Sequence, residues 1–245
     1  MLYCLSFSLK RSLHVLFYKD VCCDENHRFC WDYQLFNDRF FYFLSLFLAE
    51  YRDNETGEHI KRTQLYTKIL CEYMMQQGIY SDEVTPEFTS ILFKSAPLHD
   101  IGKVGIKDSI LLKPDKLSTD EFEQMKRHAI FGENVIRKLL KKTGPIQFLE
   151  LAKDIAGGHH EKWDGTGYPR GLKGDAIPLC ARIMAIADVY DALVSKRIYK
   201  PAFSHEKSLE IILSEKGTHF DPVLIDCFIP IEQAFSLIAK TYKDE

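Results

Sequence analysis

The chain has 245 residues, 46% of them hydrophobic and 27% charged, which is the balance of an ordinary globular protein with a sizeable core. Its formal net charge of −3 argues against a protein that wraps polymeric nucleic acid or coats an anionic membrane. Any anionic ligand must therefore be held by a few local cations.

The seven cysteines do not suggest a disulfide framework, because their number is odd, no CxxC pair occurs and no secretory signal precedes them. Reduced thiols and a cytoplasmic location are the simplest interpretation. Cys22, Cys23, His27 and Cys30 form a cluster that could hold zinc, but its spacing matches no familiar ligand pattern. Free thiols are the simpler alternative there.

Residues 1–48 are crowded with aromatic residues and cysteines and differ from the rest of the chain. The stretch FNDRFFYFLSLFLAEYR predicts a helix too apolar to be left in water. We expect it to pack on the main body or on a second copy, as in a homodimer. The apolar run Phe40–Ala49 is about half the length that a membrane-crossing helix needs, so no membrane span is predicted. Residues 49–245 are predicted to form the main domain.

Helix signals dominate the remaining sequence. Five sites are predicted to start helices: Thr85 with Pro86, Ser118 with Glu121, Pro178, Ser204, and Asp221 with Pro222. Gly144-Pro145 is expected to end the helix that Ser118 opens, and Asp221 to begin the last helix. No alternating strand pattern of useful length appears, so the sequence predicts an all-α fold.

Several histidines occur near carboxylates. Glu55 and His59 are four residues apart and would share one helix face. His99 and Asp100 are adjacent in LHDIGK, and Asp188 lies in IADVYDAL. A single histidine on an apolar face is more often a satisfied core residue than a ligand. The combination is therefore more informative than any one of these residues.

The segment HHEKWDGTGYP begins with His159 and His160. Adjacent helical residues point about 100° apart, so the two imidazoles cannot face one small patch of core. Either one of them is idle, or both reach a centre wide enough to be approached from two directions.

Three stretches together carry a family resemblance: HDIGKVGIKDSILLKPDKL, His128 in MKRHAIFGE, and HHEKWDGTGYPRGLKGDAIPLCARIMAIADVYDAL. In this order they resemble the HD-GYP phosphodiesterases, a branch of the HD metal-dependent phosphohydrolases. The resemblance runs from about Tyr51 to about Phe228 and does not cover the first 48 residues. It implies an HD-type helical bundle with a multinuclear metal site.

The resemblance also implies the ligands of two or three divalent metal ions. They would be Glu55, His59, His99, Asp100, His128, His159, His160 and Asp188. Asp100 would bridge two ions, and Glu55 would recruit a third. Mixed imidazole and carboxylate ligation favours iron or manganese and leaves zinc open. Such ions suit phosphodiester hydrolysis, because they lower the pKa of a bound water and neutralise the phosphate.

Further residues acquire roles from the resemblance. Lys103, one turn after Asp100, would direct a cation at the phosphate, and Arg197 and Lys200 would grip a substrate phosphate. The loop that gives the family its name, here called the GYP loop, is Gly165–Pro169, and in it Gly167 permits close backbone approach, including to substrate. Tyr168 would contact substrate or orient a metal-bound group, the alternative being a packing aromatic.

Two positions depart from the family pattern. Ile198 replaces the usual proline, and Asp115 stands where glycine is common. Both changes bear on loop stiffness, and neither removes a ligand or a charge.

The function implied is hydrolysis of a cyclic dinucleotide second messenger in bacteria, most simply cyclic di-GMP to pGpG, with onward cleavage to GMP left open. One alternative is 3′,3′-cyclic GMP-AMP as substrate. Others are a non-catalytic sensor of the dinucleotide and a more distant HD enzyme acting on mononucleotides or alarmones. The intact ligand set and the GYP loop disfavour the last two.

Overall fold

The structure, a computed structural model, describes residues 57–196 and 202–244. Within these ranges it contains α-helices and short 3-10 helices and no strand beyond a single bridge between Lys216 and Phe220. The predicted all-α fold is confirmed. Several predictions concern residues outside the described ranges: the segment 1–48 with its aromatic helix and the cluster Cys22, Cys23, His27 and Cys30, and the site residues Glu55, Arg197 and Lys200.

The α-helices of the described residues are numbered in chain order. They are α1 (Gly57–Gln77), α2 (Pro86–Ser95), α3 (Asp108–Leu111), α4 (Thr119–Met125), α5 (Arg127–Thr143), α6 (Gln147–Gly158), α7 (Leu179–Val194), α8 (His205–Ser214), α9 (Pro222–Phe228) and α10 (Glu232–Thr241). The 3-10 helices are Ala96–Leu98, Ile101–Gly105, Gly174–Ala176 and Ile229–Ile231.

Helix α7 is the centre of the bundle. Twelve of its 16 residues are buried, and α1, α6 and α8 pack around it. A helix that is apolar on nearly all sides is stable only when it is surrounded in this way. Near its C-terminal end it carries two carboxylates, Asp188 and Asp191, so the core helix brings acidic groups into the interior.

The predicted helix starts are confirmed. The side-chain oxygens of Thr85, Ser118, Ser204 and Asp221 each accept a hydrogen bond from a backbone N–H in the first turn. Pro178 directly precedes α7. These caps depend on contacts within two or three residues, which explains why local sequence predicts them.

The expectation of one helix from Ser118 to Gly144 is wrong. The structure has α4 and α5 instead, divided at Lys126. The Met125 carbonyl accepts a hydrogen bond from Nδ1 of His128 at 2.7 Å, and the Ala129 N–H reaches the Lys126 carbonyl at 3.4 Å. The regular ladder is thus interrupted where the His128 ring takes its own backbone partner. Gly144, with φ +82°, ends α5 as expected.

The helix predicted to start at Asp221 is also divided. The 3-10 helix Ile229–Ile231 separates α9 from α10, because Pro230 has no N–H to continue an α-helical ladder. By length and composition alone, Pro222–Thr241 qualifies as a membrane-crossing segment. Core helices pass the same test, and Phe228 and Phe235 within this segment are fully buried in the bundle.

An aromatic cluster holds α10 against α1 and α7. The ring of Phe235 stacks on Tyr66 with centroids 4.6 Å apart and meets Tyr190 edge-on at 5.3 Å. The ring of Phe228 also meets the Phe235 ring edge-on, with centroids 4.8 Å apart. Such pairs add to the stabilisation that comes from burial alone.

Replacing Phe235 by alanine should lower the free energy of unfolding by about 3–5 kcal/mol, because it leaves a cavity in this cluster. Leu237→Ala is the matched control, since Leu237 lies in the same helix and is 65% exposed. It should change stability by less than about 0.5 kcal/mol. Denaturant unfolding of both variants tests this, and equal losses would contradict it.

Candidate metal centre

Seven of the eight sequence-predicted ligands lie in the described residues, and the structure brings them together in two groups. Within each group, the ligand atoms lie within 4.8 Å of one another. The first group is Asp100, His128, His159 and His160, and the second is His59, His99 and Asp188. Glu55 lies outside the described residues.

Asp100 connects the two groups. Its Oδ1 lies 3.1 Å from Nε2 of His128 and 3.6 Å from Nε2 of His159, both in the first group. Its Oδ2 lies 3.3 Å from Nε2 of His99 in the second group. His99 in turn is 4.0 Å from Oδ1 of Asp188. One carboxylate therefore faces both groups, as a bridging ligand would.

Three atoms of the first group are buried without a hydrogen-bond partner among the described residues: Asp100 Oδ1, His128 Nε2 and His159 Nε2. Buried polar atoms are normally paired, and each unpaired one costs about 1–3 kcal/mol. The three atoms lie close together, so a single cation would satisfy all of them. The residues present thus fit a divalent metal ion.

The other ring nitrogens fix the orientation of the histidines. Nδ1 of His99, His128 and His159 donates to the carbonyls of Ala96, Met125 and Ile155 at 2.9, 2.7 and 2.9 Å. Because a carbonyl only accepts, Nδ1 carries the proton, and Nε2 of each ring presents its lone pair to the centre.

His59 is held in a different way. Its Nδ1 lies 2.8 Å from Oδ2 of Asp191, a carboxylate on α7. The result is again an Nε2 directed away from the orienting partner, but here the partner is a remote side chain, not a carbonyl of the same turn.

The protonation states also suit metal binding. Burial alone would raise the pKa of the Asp100 carboxyl, but the positive charge of Lys103, followed by the neighbouring rings of His99 and His128, holds it well below its usual value. Burial, together with His159 and His128, holds the pKa of His160 well below its usual value. Carboxylate and neutral imidazole are the forms that bind cations.

Close backbone contact at Gly102 brings Asp100 to His128. A Cβ on Gly102 would lie 1.9 Å from the His128 carbonyl oxygen and 2.4 Å from the Gly132 nitrogen. Only glycine allows the turn after Asp100 to lie directly on α5. In that turn, Lys103 places its Nζ 2.8 Å from Oδ2 of Asp100, beside the two groups.

The GYP loop covers one side of the first group. The ring of Tyr168 stacks on His160 with centroids 4.7 Å apart, and Nζ of Lys126 lies 5.5 Å from the centre of the Tyr168 ring. A Cβ on Gly167 would lie 2.2 Å from the Lys162 nitrogen, so glycine lets the loop fold back on itself. Substrate contact by Gly167 and Tyr168 stays a prediction.

A family model described as an HD domain matches residues 53–224, well over half of the chain. The chain belongs to the HD domain family. A cyclic di-GMP phosphodiesterase of Vibrio cholerae is 55% identical over 197 residues, covering 80% of this chain and 40% of that protein. A 3′3′-cGAMP-specific phosphodiesterase of the same organism is 39% identical, covering 80% of this chain and 35% of that protein.

A solved structure of an HDGYP protein from Bdellovibrio bacteriovorus shares the fold, with a TM-score of 0.51 at 21% identity. The alignment covers 73% of this chain and 54% of that one. The resemblance to HD-GYP proteins is confirmed. The chain spans less than half the length of the two Vibrio relatives.

The HD domain holds its GYP loop through a buried acid that sequence reasoning missed. Glu161 accepts hydrogen bonds from the backbone N–H groups of Arg170 at 2.8 Å and Leu172 at 2.9 Å. The Arg170 guanidinium donates to Glu133 at 2.6 Å and to the Gly157 carbonyl at 3.1 Å. The presence of Glu161 within HHEKWDGTGYP was the available signal for this role. Nothing in the local sequence, however, distinguishes a buried glutamate from a solvated one.

Asp191 was missed as well. It lies three residues after Asp188 in DVYD, on the next turn of α7, and that spacing could have suggested a shared role. Its partners, His59 and Arg62, are 132 and 129 residues away, so no local pattern could have identified them.

Glu161→Gln should lower the free energy of unfolding by about 1.5–3 kcal/mol, because the amide keeps one acceptor and sets its NH₂ against a backbone N–H. Glu210→Gln is the matched control: Glu210 is exposed and pairs with Lys207 on the surface of α8. Its effect should stay below about 0.5 kcal/mol. Denaturant unfolding measures both, and indistinguishable stabilities would contradict the anchoring role of Glu161.

Proposed function

We propose that this HD domain is a metal-dependent phosphodiesterase that hydrolyses a cyclic dinucleotide, with cyclic di-GMP converted to pGpG. The observation that carries the proposal is the pair of ligand groups facing one carboxylate, Asp100. The relative named for cyclic di-GMP is 55% identical, against 39% for the one named for 3′3′-cGAMP, which favours cyclic di-GMP.

The proposed metal ligands are the seven residues of the two groups together with Glu55. Asp100 would be shared between the two groups, with His128, His159 and His160 on one side and His59, His99 and Asp188 on the other. Imidazoles mixed with carboxylates suit iron or manganese. Bound ions would lower the pKa of a water and neutralise the phosphate oxygens.

The chain's own residues then bind and orient the substrate. Lys103, beside Oδ2 of Asp100, directs a positive charge at the phosphate near the bridging carboxylate. Tyr168 borders the centre from the stacked position on His160 and limits the approach of substrate on that side. Arg197 and Lys200 are proposed to bind a second phosphate, where the fork of arginine suits bidentate contact.

Residues 1–48 are proposed as a separate helical segment through which two copies pair in the cytoplasm. Their aromatic content supports burial against another apolar surface. Sedimentation of the chain with and without residues 1–48 tests this, and a dimer that persists after their removal would contradict it.

The decisive experiment for the function uses anaerobically purified protein. Metal analysis is paired with separate incubations with cyclic di-GMP and 3′,3′-cyclic GMP-AMP, and products are identified by chromatography. The proposal expects bound metal and faster conversion of cyclic di-GMP. Faster conversion of the mixed dinucleotide would support the alternative substrate, and tight binding without turnover would support a sensor.

Asp100→Ala should abolish hydrolysis and deplete bound metal, because the two oxygens of the Asp100 carboxylate face the two ligand groups. Asp115→Ala is the control, since Asp115 is exposed in the loop between α3 and α4. It should keep metal content and turnover. An Asp100→Ala protein with normal metal content and turnover would contradict the proposed site.

Glu55→Ala should lower the metal-to-protein ratio towards two, because Glu55 is proposed to recruit a third ion while the other seven ligands keep a pair. Turnover should fall without vanishing, and cleavage of pGpG to GMP should suffer more than the first step. Quantitative metal analysis of wild type and variant measures this. Equal ratios would place Glu55 outside the site.

A further inference from the structure

A buried ion pair lies directly behind His59. The Arg62 guanidinium binds Asp191 with two hydrogen bonds, from Nε to Oδ1 at 2.6 Å and from Nη2 to Oδ2 at 2.8 Å. The same Oδ2 lies 2.8 Å from Nδ1 of His59. All three side chains are almost completely buried. Asp191 therefore connects His59, a member of the second ligand group, to the guanidinium of Arg62.

The far side of Arg62 is bound by the end of the described chain. Nη1 donates to the Tyr242 carbonyl at 2.7 Å and to Asp244 Oδ1 at 3.1 Å, and Nη2 donates to Asp244 Oδ2 at 3.2 Å. Nη2 also donates to Ser195 Oγ at 2.9 Å. These contacts hold the guanidinium plane between Asp191 and the segment Tyr242–Asp244.

We infer that the segment Tyr242–Asp244 is a positioning element for the group His59, His99 and Asp188, acting through Arg62 and Asp191. The inference rests on the metal dependence proposed above. The segment lies after residue 224, where the match to the HD domain model ends, so the matched part does not contain this contact.

The physical reason is the hydrogen-bonding demand of a buried guanidinium. Arg62 has five N–H donors, and burial makes each unpaired one costly. The Tyr242 carbonyl and Asp244 accept the hydrogen bonds of Nη1. Without them these donors would lose those acceptors, and the guanidinium would rotate towards water. Asp191 would lose its two-point contact, and the His59 ring would lose the partner that fixes its orientation.

The test titrates the metal-free chain of 245 residues with Mn²⁺ by calorimetry. The variants are Arg62→Lys, which keeps the charge but lacks the fork, and Asp244→Asn, which changes a side chain that is 28% exposed. Asp226→Asn is the control, because Asp226 is an exposed aspartate on α9 paired with Lys216. Asp188→Asn identifies which Mn²⁺-binding step belongs to the second group, because the step that this variant weakens must involve Asp188.

Arg62→Lys should weaken the step marked by Asp188→Asn about 10- to 100-fold. Asp244→Asn should weaken it about three- to tenfold, because it removes one charged acceptor and leaves the Tyr242 carbonyl. The Mn²⁺ affinity of the step that belongs to the Asp100 group should be unchanged in both variants. The Asp226→Asn control should keep the wild-type affinity at both steps. Unfolding of the metal-free Asp244→Asn protein should keep its midpoint, which separates positioning from a general loss of stability.

Unchanged Mn²⁺ affinity in both variants would overturn the inference while leaving the proposed function intact. Equal weakening of both steps together with a lower unfolding midpoint would also overturn it, because the network would then support only the fold. If the wild-type protein bound no Mn²⁺ and contained no other metal, the proposed function and the inference would fail together.

Discussion

The burial of the Asp100 carboxylate among imidazoles is the interaction on which the rest of this structure depends. Ionised oxygens inside a helical core are costly unless charges and donors compensate them. Lys103 compensates Oδ2, and Oδ1 faces ring nitrogens that have no protein partner of their own in the described chain. A cation at this point would remove the electrostatic cost, so the fold and the proposed chemistry would share one requirement. Because Gly102 has no Cβ, the turn that follows Asp100 can lie directly against α5.

The orientation of the imidazoles shows how helices serve this requirement. Three rings take backbone carbonyls three or four residues earlier in the chain, and one of these bonds divides α4 from α5. His59 is held by Asp191 instead, so the orientation of its ring depends on a residue 132 positions away in the chain. The second ligand group is therefore the one on which segments outside the matched HD domain can act.

The GYP loop is also held in place by a buried charged group. Its position over His160 is set by a buried carboxylate, Glu161, that captures two backbone N–H groups of the returning chain. Gly167 is required because the loop folds back against the residues that follow the two histidines. Gly167 and Tyr168 thus both shape the side of the centre next to His160.

The sequence by itself determined the features that depend on neighbours in the chain. Caps at Thr85, Ser118 and Ser204 involve partners three residues away, and the apolar pattern of α7 required a buried helix. The adjacent His159 and His160 left two alternatives, one idle imidazole or a wide centre, and the order of motifs implied the family. Only the tertiary structure decided how the ligands divide into two groups around Asp100, and which buried charges support them. Arg62 and Asp191 are 129 residues apart, and Arg62 and Asp244 are 182 apart. Contacts of that kind leave no periodicity or spacing in a sequence, because they arise only when separate helices pack together.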